Sequence, residues 1–194
     1  MRFMFRAIFL IMGAIYMCSF FGCSDGIKYE KYTCDDANLN ISVDYVLGWK
    51  HSKQVGSYGS FTQVVFYEPE MKNKSLKALM VITAEKGSKV AFKPLTLEGM
   101  ENDILKKRGF FKGMKVASRS KMRILGAEAI ELVLAYMASD KLYSIDAKLV
   151  PVKERIVIVK PGDIFYTIRY ENTEKDFDTY NREFTHCFKS LKIR

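Results

Sequence analysis

Six large side chains near the C-terminus, Phe177, Tyr180, Phe184, Cys187, Phe188 and Leu191, recur at the spacing of one helix face. A stripe of that width must be buried against another element, so it demands a sheet or helix to cover. Most of the preceding chain alternates with period two and supplies the sheet. Ile41, Val43 and Tyr45 alternate with Ser42 and Asp44 and open the strands. Gly48-Trp49 ends this first strand, and Trp49, the one tryptophan, is expected as a core plug beside the turn. A turn at Gly56 to Ser60 leads to a strand over Phe61 to Glu68, then a loop from Pro69 to Ser75. Ala78 to Ala84 is apolar on both faces and therefore belongs inside the sheet.

A second helix is announced by Thr96 as its N-cap. Leu97, Met100, Ile104 and Leu105 follow at helical spacing, Lys106-Lys107-Arg108 suit the negative end of the helix dipole, and Gly109 supplies a stop. Further strands are expected over Lys115 to Ile124, Ala127 to Ala138, Leu142 to Val150, Arg155 to Val159 and Ile164 to Tyr170. Pro151 marks a bend or an edge, and Pro161-Gly162 a tight turn. Short turns between strands make the sheet largely antiparallel. The fold class is α+β: an α/β/α sandwich around a mostly antiparallel sheet.

The front of the chain reads differently. Arg2 and Arg6 are the only charges before Asp25, and Ala7 to Met17 is an uncharged apolar core of signal-peptide length. Gly22 then stands directly before Cys23. A small residue there admits a peptidase, and the thiol is the group that a diacylglycerol alkylates. Phe20-Phe21-Gly22-Cys23 resembles the bacterial lipobox, with Phe20 and Phe21 where Leu and a small residue are usual. The organisation that follows is a lipoprotein signal peptide over 1–22, a lipidated tether over 23–38 and one folded domain over 39–194. Two alternatives place the domain on the same side of the membrane: an uncleaved anchor, for which the run to Cys23 is near the lower length limit of about 20 residues, and ordinary secretion. By the sorting rules of enteric lipoproteins, Ser24 after the cysteine points to the outer rather than the inner membrane. The expected setting is the cell envelope, facing the periplasm. The two or three acyl chains of a bacterial lipoprotein, palmitate among them, anchor the chain stably, whereas one alone binds marginally.

Cys34 and Cys187 remain after the lipid site. In an oxidising compartment they are a candidate disulfide closing a very long loop. The competing reading is two buried free thiols, since Cys187 lies on the apolar helix face. His51 and His186 lack metal-ligand spacing. His186 and Cys187 are adjacent on a helix and do not face one another, so they are no nucleophile–base pair. Asp35-Asp36 falls in the expected tether, which cannot hold catalytic geometry. No phosphate-cradling or hydrolase motif occurs. Neither a catalytic residue, a metal nor a cofactor is expected.

Composition matters at one place. The chain carries 31 Lys and Arg against 22 Asp and Glu, and part of that excess is concentrated. Lys112, Lys115, Arg119, Lys121 and Arg123 lie in a stretch without acids, and the last four share strand parity, so they are expected to project from one face. Such a patch suits anionic headgroups, a phosphorylated glycolipid or an acidic partner; it is equally the composition of a solvated face. Nucleic acid is excluded by compartment and by the lack of a binding motif.

The strand ending at Gly48-Trp49, the Leu97 to Arg108 helix, the meander through Pro161-Gly162 to Ile164-Phe165-Tyr166-Thr167-Ile168, and the closing Phe177–Leu191 helix together resemble the PsbP-like domain. That domain also occurs in DcrB-type bacterial lipoproteins. The resemblance covers about residues 38–194 and rests on element order and aromatic landmarks. It implies an α/β/α sandwich and a binding or assembly role beside a membrane complex, and it brings no catalytic residues. The function expected is a non-enzymatic, lipid-anchored accessory factor with a protein partner in the envelope. A carrier or sensor of a small apolar or anionic ligand is the alternative, and an enzyme with an unrecognised site the third.

Overall fold

The computed structural model describes residues 27–69, 78–87, 96–140 and 147–194. The expected signal peptide, Cys23 and part of the expected Leu142–Val150 strand lie outside them. Ten strands and two α-helices occur among the described residues: β1 (Tyr29–Asp35), β2 (Asn40–Val46), β3 (Lys50–Val55), β4 (Phe61–Tyr67), β5 (Leu79–Lys86), α1 (Leu97–Arg108), β6 (Lys115–Ile124), β7 (Ala127–Ser139), β8 (Leu149–Val159), β9 (Ile164–Thr173), α2 (Phe177–Ser190) and β10 (Lys192–Ile193). Seven strands form one antiparallel sheet in the order β3-β4-β5-β9-β8-β7-β6, and β1-β2-β10 form a second, small one.

The large sheet is covered on both faces. On one face Ile130, Leu132, Leu134, Ile156 and Ile158 are buried with Met100 of α1. On the other, Phe66, Met80, Ile82, Ile168 and Tyr170 pack with Phe177, Phe184 and Cys187 of α2 and with Ile41, Val43 and Tyr45 of β2. The α2 stripe is thus met as its spacing requires. Trp49 is half-buried at the rim of that core, edge-on to Tyr180 at 5.5 Å. Both helices and the antiparallel sheet are as the residue pattern demands; the second sheet and the edge strand of the first are not, and each is a correction.

First, residues 29–35 are not tether. They form β1, pairing residue by residue with β2 from Tyr29↔Val46 to Asp35↔Asn40. Cys34 accordingly lies inside a strand rather than before one. The stretch YEKYTCD hides its pattern because the small sheet's edge buries Cys34 while most of its neighbours stay in water. Second, Lys50–Val55 is a strand although almost wholly exposed, because it is the edge of the large sheet and needs only β4.

Three further details refine the expectations. Thr96 caps α1 as its type predicts, its Oγ1 accepting from the Gly99 N–H at 3.0 Å. Gly109 ends that helix in ordinary right-handed conformation (φ −58°), not in the left-handed one that favours glycine. Pro151 lies within β8, opposite Met137. The Met137 N–H donates to the Lys112 carbonyl, away from β8, so this pair needs no proline donor. On its other side β8 pairs with β9 only from Val152 onward. Pro151 therefore sits at a local edge, though its strand is interior.

Candidate functional site

The expected basic patch does not survive as one surface. Lys115 and Val116 pair with Ala135 and Leu134, but Ser118 pairs with Val133 and Arg119 with Leu132. One residue, Ala117, is inserted as a bulge, and a bulge reverses the facing of everything beyond it. Arg119, Lys121 and Arg123 face α1; Lys115, opposite Ala135, faces the other way. On the α1 side the cations are met by acids of the helix. Arg119 donates two hydrogen bonds to Glu101, at 2.6 and 2.8 Å. Lys121 reaches Glu98 at 3.0 Å, and its ammonium holds the Glu98 carboxyl below the usual range. Arg123 donates to the Gly126 carbonyl. Lys112 lies apart, in the loop after α1, exposed. Parity counting missed the bulge because a single extra residue leaves no mark in composition.

A charge cluster that the sequence reading did not single out lies on the same face, at the C-terminal end of α1. Glu154 on β8 is fully buried. Arg108 grips it with Nε and Nη2, at 2.6 and 2.7 Å, the Arg169 Nε donates to its Oε1, and the Tyr136 hydroxyl to its Oε2 at 3.2 Å. Burial pushes this carboxyl up, but the two guanidinium groups outweigh it and the net shift is downward. Glu171, its register partner on β9, is met by Arg169 at 3.4 Å. Burial first, then the Glu154 charge, raises it. Phe111 stacks on Tyr136 at 4.7 Å and lies under Arg108 at 5.6 Å, closing the cluster from the loop. The signal was legible: Glu154 shares parity with Val152, Ile156 and Ile158 on a core-facing row, where a carboxylate demands partners.

Two shallow clefts adjoin α1. One, of about 150 Å³, lies over Thr83, Thr167 and Arg169. The other, of about 250 Å³, lies between Glu98, Lys121, Arg123 and Glu128. Both are smaller than the roughly 300–1,000 Å³ of small-molecule sites.

Cys34 and Cys187 are each a free thiol buried in the core on the α2 side. Burial pushes the Cys187 thiol up to about 12, which leaves little thiolate for exchange at neutral pH. His186 is an exposed helix residue, stacked on Tyr29 at 3.8 Å and 3.6 Å from the Asp44 carboxylate. His51 lies against the rings of Tyr32 and Tyr45. Asp36 is no part of a loose tether: it pairs with Lys53 at 2.7 Å and accepts from Thr62, which clasps the end of β1 to the β3–β4 hairpin. The Lys53 partner brings its carboxyl down to about 2. Among the described residues no cluster of His, Cys, Asp and Glu could hold a metal ion, and no helix is long and apolar enough to cross a membrane.

No family model matches this chain, and no curated protein does. Solved structures do. The chain is similar to the cyanobacterial PsbP, CyanoP, of Synechocystis, at 12% identity and TM-score 0.54, over 89% of this chain and 96% of that one. It is similar to the Ran-binding protein Mog1p of Saccharomyces cerevisiae at 8% identity and TM-score 0.54, over 87% and 96%. A Pseudomonas aeruginosa protein of unknown function matches at 13% and 0.52, over 86% and 97%. At these identities the likeness is one of fold: the chain has the PsbP-like arrangement of sheet and helices.

Proposed function

We propose that this chain is a lipid-anchored protein of the cell envelope that works by binding, as an accessory or assembly factor for a membrane-associated partner. The observation that carries this reading is the closeness of the lipobox-like cysteine to the fold. Cys23 follows an apolar leader, and β1 already begins at Tyr29. Processing at Cys23 therefore leaves a folded domain almost directly on its lipid. Ser24 favours the outer membrane.

The side chains with chemical potential are committed elsewhere, which supports binding over catalysis. Both Glu154 oxygens are taken by Arg108, Arg169 and Tyr136. The Cys187 thiol is buried and protonated at neutral pH. The clefts beside α1 are small for a carried ligand, so the carrier reading stands second. Mass spectrometry of the native protein tests the premise. The expected species begins at Cys23 and bears acyl chains, and Cys23→Ala abolishes palmitate labelling. An intact Met1, or an unmodified Cys23 in a cytosolic fraction, overturns it.

A further inference from the structure

The buried stripe of α2 holds one side chain that the apolar pattern does not account for. Glu183 shares a face with Tyr180, Phe184 and Cys187 and is 5% exposed. Its Oε2 is buried without a hydrogen-bond partner among the described residues. Two cations beside this part of α2 are engaged elsewhere. Arg155 donates to Glu131, Asn181 and Thr185, and His186 lies 3.6 Å from Asp44. A buried carboxylate needs partners. Glu154, on the other face of the sheet, has Arg108, Arg169 and Tyr136; the Glu183 Oε2 is left without one.

Glu183 is part of the wall of a cavity of about 10 Å³, the space that one water-sized group needs. Most of the remaining wall is rings: Tyr45, Trp49, Tyr170, Tyr180 and Phe184. The three tyrosine hydroxyls donate to other partners, Tyr45 to Glu30, Tyr180 to Glu68 and Tyr170 to the Phe177 carbonyl. They offer the cavity ring surface rather than donors. Tyr170 and Phe184 stack at 5.5 Å, and Trp49 stands edge-on to Tyr180 at 5.5 Å. Every lining residue except Trp49 and Tyr180 is buried, so the way in passes beside these two. A buried water commonly has about three polar partners, and ring faces supply none of them. A cation gains from the carboxylate and from the negative faces of the rings together. Burial first, and then the Glu183 charge, raise the Tyr29 hydroxyl above its usual range, so the field of this carboxylate is felt at a neighbouring group.

We propose that this cavity is a binding site for a primary ammonium group. Glu183 is its counter-charge, the rings are its walls, and the alkyl chain of the ligand leads out past Trp49 and Tyr180. An ammonium group has the size of the water-sized space present, whereas a trimethylammonium head is too large for it. Two sources share this chemistry, a free alkylamine and the ethanolamine headgroup of a lipid. The site is made by the fold alone and does not rest on the lipoprotein reading.

Trp49 is the one tryptophan of the chain, so its emission reports on the site directly. The full chain in a neutral detergent is titrated with methylammonium, tetramethylammonium and sodium chlorides at constant ionic strength. Methylammonium is expected to change the emission to saturation and to raise the thermal midpoint, because it binds the folded chain alone; the other two salts do neither. Glu183→Gln keeps the shape, removes the charge and lowers the methylammonium affinity by about ten-fold or more. An equal response to all three salts, or no saturable response to methylammonium, overturns the site. So does an unchanged affinity in a folded Glu183→Gln chain. If that variant fails to fold, the comparison of salts on the unaltered chain decides alone. Vesicles of phosphatidylcholine with and without phosphatidylethanolamine separate the two sources. Displacement of methylammonium by the ethanolamine lipid upholds the site and assigns it to the headgroup; binding undiminished by that lipid upholds it for a free amine.

Discussion

The two faces of the seven-stranded sheet are stabilised by different physics. Toward α2 the sheet presents rings and aliphatic chains, and the helix returns the same: Tyr170 lies 5.5 Å from Phe184 and 5.0 Å from Phe177. Toward α1 the apolar layer of Ile130, Leu132 and Ile158 gives way, at one end, to Glu154 with its two arginines. Burial of apolar area is non-directional, so the α2 face tolerates repacking. A buried charge is directional and must keep every partner. The α1 face therefore specifies where the helix ends, through Arg108, more than it adds stability.

The largest effect is expected on the apolar face. Phe184→Ala removes a ring that is 2% exposed and that carries the Arg155 guanidinium at 5.2 Å. It is expected to cost about 3–5 kcal/mol, read from the denaturation midpoint. A loss under 1 kcal/mol would mean that this core collapses around the void and that burial on the α2 face is not the larger source of stability.

Glu154→Gln comes next. It leaves the Arg108 guanidinium without its bonded carboxylate and Arg169 with Glu171 at 3.4 Å, and the cost is about 3 kcal/mol. The sharper form replaces the whole cluster, Glu154→Leu with Arg108→Met and Arg169→Met. Stability is expected to return to near the starting value, because apolar groups of similar volume commonly match a buried ion network. If the triple variant is as unstable as the single one, the cluster contributes stability in its own right, and the two faces differ less than proposed.

The smallest effect has the opposite sign. The Glu171 carboxyl is raised in the folded chain, so the fold binds its proton more tightly than the unfolded chain does. Its ionisation weakens the fold as pH rises through the folded value and costs nothing below the unfolded one, about 4.3. Glu171→Gln is thus expected to raise the thermal midpoint at pH 8 and to leave it unchanged at pH 3. Glu154, shifted downward, behaves conversely: its contribution is present above the unfolded value and is lost as pH falls through the folded one. A destabilising Glu171→Gln at pH 8 would show that Arg169 favours its charge more than burial opposes it.

Much of the frame could be read without coordinates. Phe177, Phe184 and Cys187 are buried where their spacing puts them, Thr96 caps α1, and Ala78–Ala84 falls inside β5 and its approach, between β4 and β9. What escaped reading had little apolar signal. β1 and β3 are edge strands, and an edge strand can be polar on most of its residues because one neighbour satisfies its backbone. The candidate sites were less legible than the frame. The patch was judged by parity, and the bulge at Ala117 divided it; the helix acids Glu98 and Glu101 then met its cations.

Local sequence determined the two helix stripes and the interior strands, because each is a short-range pattern imposed by helix or strand periodicity. Only the tertiary structure decided which charges are paired and which remain exposed. Arg119 and Glu101, or Arg108 and Glu154, are 18 and 46 residues apart, and nothing in a local pattern specifies such partners. The same holds for the end of the sheet that Lys28, Phe110 and Lys112 share from opposite edges. Chain order separates them; strand register across seven strands brings them to one side.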